Sequence, residues 1–142
     1  MILNNETKTE ALFIFTFKSY TMHNFKKLTI WQESMSLAID LYNITKHFPD
    51  SEKYSLTSQI RRSAVSVPSN IAEGSGRSSS KDFENFLNYS TGSSFELETQ
   101  LIIASKLGFI SANEFSNTSE RIQSIQKRIY SFKQSLKNQP GR

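Results

Sequence analysis

The chain has 142 residues, of which 37% are hydrophobic and 21% charged, and a formal net charge of +4. That length fits one domain burying about two-thirds of its unfolded surface, and the composition excludes disorder of the whole chain. With no cysteine, disulfides and thiolate zinc sites are excluded, which fits a reducing, cytoplasmic setting. The two histidines, His23 and His47, belong to no H-E-x-x-H or E-x-x-H pattern, so the helical di-iron arrangement is excluded as well. No metal or cofactor is expected.

Residues 1–22 contain one apolar run, Ala11–Phe17. Seven residues cannot cross a membrane as a helix, and the run lacks the basic start and small-residue cleavage site of a signal peptide. Two readings stay open for it: an upstream extension ahead of a natural start at Met22, or a short docked strand or helix. No function and no membrane contact is assigned to it. The domain proper is expected over residues 23–138, followed by a fraying tail at 139–142.

The first helix is expected from about Ile30 to His47, with Thr29 and Gln32 as a capping box. Trp31, Met35, Ala38, Tyr42 and Thr45 make one apolar stripe; Ile30, Leu37, Leu41, Ile44 and Phe48 make a second beside it. Pro49 ends the helix, because the residue before a proline is driven out of the helical region. The second helix is expected from about Lys53 to Glu73, along Leu56, Ile60, Ala64, Val67 and Ile71, with Gly74 at a left-handed C′ position. Gly74 and Gly76 do not form a phosphate loop: they follow a helix and lack the lysine of that motif.

The third helix is expected from about Lys81 to Leu107, capped by Ser79 or Ser80. Its seam is Phe83, Leu87, Ser90, Ser94, Leu97, Leu101 and Ala104. The small residues at its centre, with Gly92 beside them, imply a close approach. A mid-helix glycine costs roughly 1 kcal/mol relative to alanine, so Gly92 is expected to have a packing reason. The fourth helix is expected from about Ala112 to Lys137, capped by Ser111 and Glu114, along Phe115, Thr118, Ile122, Ile125, Ile129, Phe132 and Leu136. Four amphipathic helices with short connections predict an all-α, antiparallel up-and-down four-helix bundle, its axes about 20° from parallel.

Two features exceed what a plain bundle needs. Along the second helix, Arg62, Ser66, Asn70, Glu73 and Arg77 share one side. Asn85, Ser93, Glu96 and Gln100 can line a matching strip on the third. Arg62 is expected to pair with Glu73 or Glu96. Pro68 interrupts the second helix at a cost on the order of 3 kcal/mol, freeing the carbonyl of Ala64; Ser66 or Ser69 is expected to satisfy it. The other feature is charge: from Arg121 to Arg142 there are six positive residues and no acidic one. Arg121, Lys127, Arg128, Lys133 and Lys137 are the nucleic-acid candidates, although Lys133 and Lys137 also suit a helix C-terminus by its dipole.

FKKLTIWQESMSLAIDLYNITKHFP, QIRRSAVSVPSNIAEGSGR, GSSFELETQL and KLGFI, in this order, resemble the small four-helix-bundle proteins encoded in bacterial 23S rRNA intervening sequences. The resemblance spans about residues 24–136, and SVPSNIAEG is its most specific part. It implies a monomer that assembles into a ring, a homopentamer in known members. Arg62, Ser66, Asn70, Glu73, Gly74, Gly92, Ser93 and Glu96 fall on the family's motif positions. Ser63 stands where alanine is usual, and the N-terminal segment is extra. The chain also looks like the accessory protein of diversity-generating retroelements, a basic pentameric bundle that binds nucleic acid and a reverse transcriptase.

Five chains at +4 each would carry about +20, enough for salt-sensitive phosphate binding. The expected function is therefore a non-enzymatic oligomer that contacts structured RNA by backbone and shape. The alternative is a scaffold or accessory protein for a partner such as a reverse transcriptase. An enzyme would need Ser66 or Ser93 as nucleophile, or Glu73 with Glu96 or Glu98 as a carboxylate pair; no histidine is placed to serve them.

Overall fold

The computed structural model describes residues 24–139. The expectations for residues 1–22 and for Pro140–Arg142 lie outside the described residues. Helix α1 spans Thr29–Thr45, α2 Leu56–Ser75, α3 Ser80–Lys106 and α4 Ala112–Lys137. Two 3-10 turns, Phe25–Lys27 and Asp50–Glu52, precede α1 and α2.

Capping explains most of these boundaries. The Ser79 hydroxyl accepts from the Asp82 amide at 3.1 Å and starts α3. Ser111 and Glu114 close a reciprocal capping box at the start of α4, leaving fewer orphan amides there. The box expected at Thr29 does not form. Thr29 is already helical, Leu28 is the cap residue, and the Gln32 amide donates to the Lys26 carbonyl at 2.8 Å, tying down the preceding turn.

Gly74 also departs from expectation. The left-handed stop belongs to Gly108, with φ of 75°. Its neighbour Phe109 donates to the Ala104 carbonyl at 2.9 Å and Gly108 to that of Ser105 at 3.1 Å, the paired bonds that close a helix at such a residue. Gly74 instead lies inside α2 and is buried. A Cβ there would stand 2.7 Å from both Phe83 Cδ2 and Phe86 Cβ of α3. The glycine is needed for close approach, not for backbone freedom.

Long-range side-chain bonds show that neighbouring helices run antiparallel. Arg61 of α2 reaches Thr45 at the end of α1 (2.9 Å). On α2 and α3, Ser63 meets Gln100 (2.7 Å), Ser66 meets Ser93 (2.8 Å) and the Val67 carbonyl receives Ser90 (2.8 Å). Between α3 and α4, Gln126 donates to Glu98 (3.1 Å) and Lys133 to Asn88 (2.7 Å). Arg128 and Arg121 of α4 close the cycle on Glu33 and Asp40 of α1. The result is an up-and-down four-helix bundle, all-α among the described residues.

The α2 and α3 stripes are buried in full, as are Thr118, Ile122, Ile125, Ile129 and Leu136 of α4. Of the two α1 stripes, the one carrying Ile30, Leu37, Leu41 and Phe48 enters the core. Each such leucine or isoleucine withdrawn from water contributes about 1.5–3 kcal/mol. The other stripe is divided: Ala38 and Thr45 are buried, while Trp31, Met35 and Tyr42 line a surface groove.

Candidate assembly and nucleic-acid surfaces

A chain of polar contacts runs between α2 and α3. At one level the buried Ser63 hydroxyl lies 3.1 Å from the Ile60 carbonyl and 2.7 Å from Oε1 of buried Gln100, whose amide donates to Glu96 at 3.2 Å. One turn along, the Ser66 and Ser93 hydroxyls meet at 2.8 Å, and Asn70 donates to the Ser66 carbonyl (2.9 Å) and hydroxyl (3.0 Å). Next, buried Ser90 donates to the Val67 carbonyl, one residue before Pro68. Serines at these positions let the two backbones approach while their hydroxyls find partners, which offsets the cost of taking them out of water.

Part of the expected strip is placed elsewhere. Glu73 is exposed and pairs with Arg77 on its own helix at 2.8 Å. Glu96 is exposed and receives Gln100. Arg62 is exposed and forms no ion pair among the described residues, so the expected Arg62–Glu73 or Arg62–Glu96 pair does not form. The reason is rotation: residues four apart drift around the helix, which carries Arg62 and Glu73 outward while Ser66 and Asn70 stay in the seam. The Ser66 hydroxyl faces Ser93, not the freed carbonyl of Ala64. Ser63 and Ser90 were not among the site residues expected from sequence. Their spacing from Ser66 and Ser94 was the available signal.

Pro68 has a second role. With Val65 and Ala72 it forms the α2 wall of an apolar groove whose α1 wall carries Trp31, Met35 and Ile39, with a volume of about 490 Å³. Ile39 is 57% exposed. A separate apolar surface lies on the outer side of α3, where Tyr89, Phe95, Ile102 and Ile103 are exposed, Phe95 by 55%. Gly92 lies on this surface, and a Cβ there would meet nothing within 4 Å. The packing reason expected for Gly92 is absent from the monomer. Large apolar side chains exposed together on one side of a helix fit an interaction site.

The α4 cations are partly neutralised. Arg121 pairs with Asp40 at 2.6 Å and reaches Ser36 at 3.1 Å, Arg128 pairs with Glu33 at 2.9 Å, and Lys137 pairs with Glu84 at 3.3 Å. Lys133 donates to the neutral Asn88 and keeps its charge. Lys127 is exposed and forms no ion pair among the described residues. Among those residues, no group of three or more histidine, cysteine, aspartate and glutamate side chains could hold a metal ion. No helix among them is long and apolar enough to cross a membrane.

The fold matches a crystal structure of a protein of unknown function from the S23 ribosomal protein family of Bacteroides thetaiotaomicron. The TM-score is 0.69 at 24% identity, over 74% of this chain and 95% of that one. No curated protein matches the chain. The sequence pattern describing 23S rRNA-intervening sequence proteins matches residues 26–131, which hold the seams of α1, α2 and α3, most of α4 and the α2–α3 polar contacts. The chain therefore belongs to the 23S rRNA-intervening sequence protein family.

Proposed function

We propose that this protein is a non-enzymatic bundle that assembles with copies of itself into a ring and associates with structured RNA through repeated basic surfaces. The observation that carries the assembly is the pair of non-overlapping apolar surfaces on one monomer: the α1–α2 groove and the outer side of α3. Two different patches that bind each other make a head-to-tail contact, and such contacts close into rings when the rotation allows. The groove is lined mainly by apolar side chains, with Asn43, Ser69 and the polar tips of Tyr42 and Trp31 as its side-chain polar groups. That is little for holding a polar metabolite and well suited to a helix face carrying aromatic and branched side chains. Five copies, the number the family resemblance implies, would repeat every unpaired cation fivefold.

Association with RNA is supported by the excess of lysine and arginine and by the family's description, which ties its members to ribosomal RNA genes. Light scattering coupled to size exclusion, together with RNA titrations from low to high salt, tests both halves. A stable oligomer and an affinity falling steeply with salt are the expected results. A monomer at micromolar concentration, or an affinity indifferent to salt, overturns the corresponding half.

A second reading is favoured by the internal pairing of Arg121, Arg128 and Lys137, which leaves less free charge on α4. It makes the ring an accessory scaffold for a protein partner, such as a reverse transcriptase. Co-purification of a protein that survives nuclease and high salt is its expected mark.

A further inference from the structure

We propose that the RNA backbone is held at one end of the bundle, the end where the α2–α3 connection meets the start of α1 and the close of α4. The inference rests on the RNA reading above and names the surface responsible. Over residues 24–139 there are 14 lysines and arginines and 11 aspartates and glutamates. Lys26 and Lys27 precede α1, Arg77 and Lys81 flank the Ser78–Ser80 connection, and Lys133 and Lys137 lie in the last two turns of α4. These elements share one end. Lys137 reaches Glu84 and Lys133 reaches Asn88 near the start of α3, while Phe25 and Trp31 share a groove with Pro68 and Ala72 late in α2.

Six cations there face four carboxylates, Glu33, Glu73, Asp82 and Glu84, and Glu33 is matched by Arg128 from the middle of α4. In the rest of the described chain eight cations face seven carboxylates. Two of the three excess positive charges of the described residues thus sit at one end. Pairing sharpens it. Arg77 is matched by Glu73, and Glu84 is shared between Lys137 at 3.3 Å and Lys81 at 3.9 Å. Lys26, Lys27 and Lys133 have no carboxylate partner among the described residues. The 27 residues of α3 make the bundle about 40 Å long, several times the screening length of about 8 Å at physiological salt. Acidic groups at the far end cannot offset this charge, so a phosphate chain meets a local cationic surface although the rest of the bundle is nearly neutral. Such contact positions the backbone without reading bases.

The test is fluorescence-anisotropy titration of the full-length protein with a labelled RNA hairpin of arbitrary sequence, from 50 to 300 mM salt. One variant carries Lys26→Gln, Lys27→Gln and Lys81→Gln. The control carries Lys46→Gln, Lys53→Gln and Lys106→Gln, which removes three exposed charges of the same sign from elsewhere. Circular dichroism melts confirm that both fold. The end variant is expected to lose on the order of tenfold or more in affinity at 150 mM salt, with a log–log salt slope shallower by roughly two. The control is expected to stay within about threefold of the parent. A Lys→Arg version of the end variant is expected to bind like the parent, because charge and not side-chain identity is at work. Equal losses in the two glutamine variants overturn the localisation and leave the RNA reading standing. Failure of the parent protein to bind the hairpin at any salt overturns both.

Discussion

Gly74 and Gly92 carry the same side chain for opposite reasons. At Gly74 there is no room: a methyl group would press on the ring of Phe83 and on the Phe86 Cβ, each at 2.7 Å. Gly74→Ala is expected to destabilise the fold by about 1–3 kcal/mol, read as a lower urea midpoint with an unchanged slope. At Gly92 the monomer leaves open space. Gly92→Ala is expected to raise the stability of the isolated monomer by about 0.5–1 kcal/mol, since alanine restores helix propensity. If the outer side of α3 meets another copy, the same change weakens the oligomer. Denaturant melts of dilute protein and light scattering of concentrated protein separate the two effects. The sequence marked both glycines as special but not why, because steric need is a property of the neighbouring helix.

At the scale of elements, α2 is shared between two surfaces that meet along its length. One side carries Ser63, Ser66 and Asn70 toward α3; the other carries Val65, Pro68 and Ala72 toward the groove with α1. Asn70→Leu is expected to cost about 1 kcal/mol, because a half-buried amide and its two bonds are lost. In a double-mutant cycle with Ser93→Ala, a coupling energy of about 0.5 kcal/mol or more is expected, since Ser66 joins the two side chains; thermal denaturation measures it. Helix α4 behaves differently. Its Arg121–Asp40 and Arg128–Glu33 pairs are partly exposed, so Arg121→Gln is expected to change stability by less than about 1 kcal/mol in the same assay. The helix periods were legible because apolar residues at three and four spacing must share a face. Which of two adjacent stripes on α1 enters the core was not, because both satisfy that rule.

For the whole molecule, the head-to-tail geometry makes a specific demand. Ile39→Asp blocks the groove, and Phe95→Asp blocks the outer side of α3. Each variant alone is expected to run as a monomer in size exclusion with light scattering. Mixed in equal amounts, they are expected to give a heterodimer, because one intact groove can still receive one intact α3 surface. A two-fold symmetric contact, in which the same patch meets itself, cannot produce that rescue. Charge follows the same scale rule: the run of cations from Arg121 reads as one stripe in sequence, yet folding pairs Arg121, Arg128 and Lys137 with carboxylates and leaves Lys127 and Lys133 without one.

The sequence by itself determined the four helices, their seams, the cap at Ser111 and the antiparallel order, and narrowed the α3 cap to Ser79 or Ser80, because period, caps and short connections are local properties of the chain. Tertiary structure alone decided which polar residues close the α2–α3 seam, that Glu73 pairs with Arg77 and leaves Arg62 unpaired, and where the net charge lies. Those depend on the rotation and depth of one helix against another, and a few tens of degrees of rotation separates the half-buried Ser66 from the solvated Arg62 four residues away.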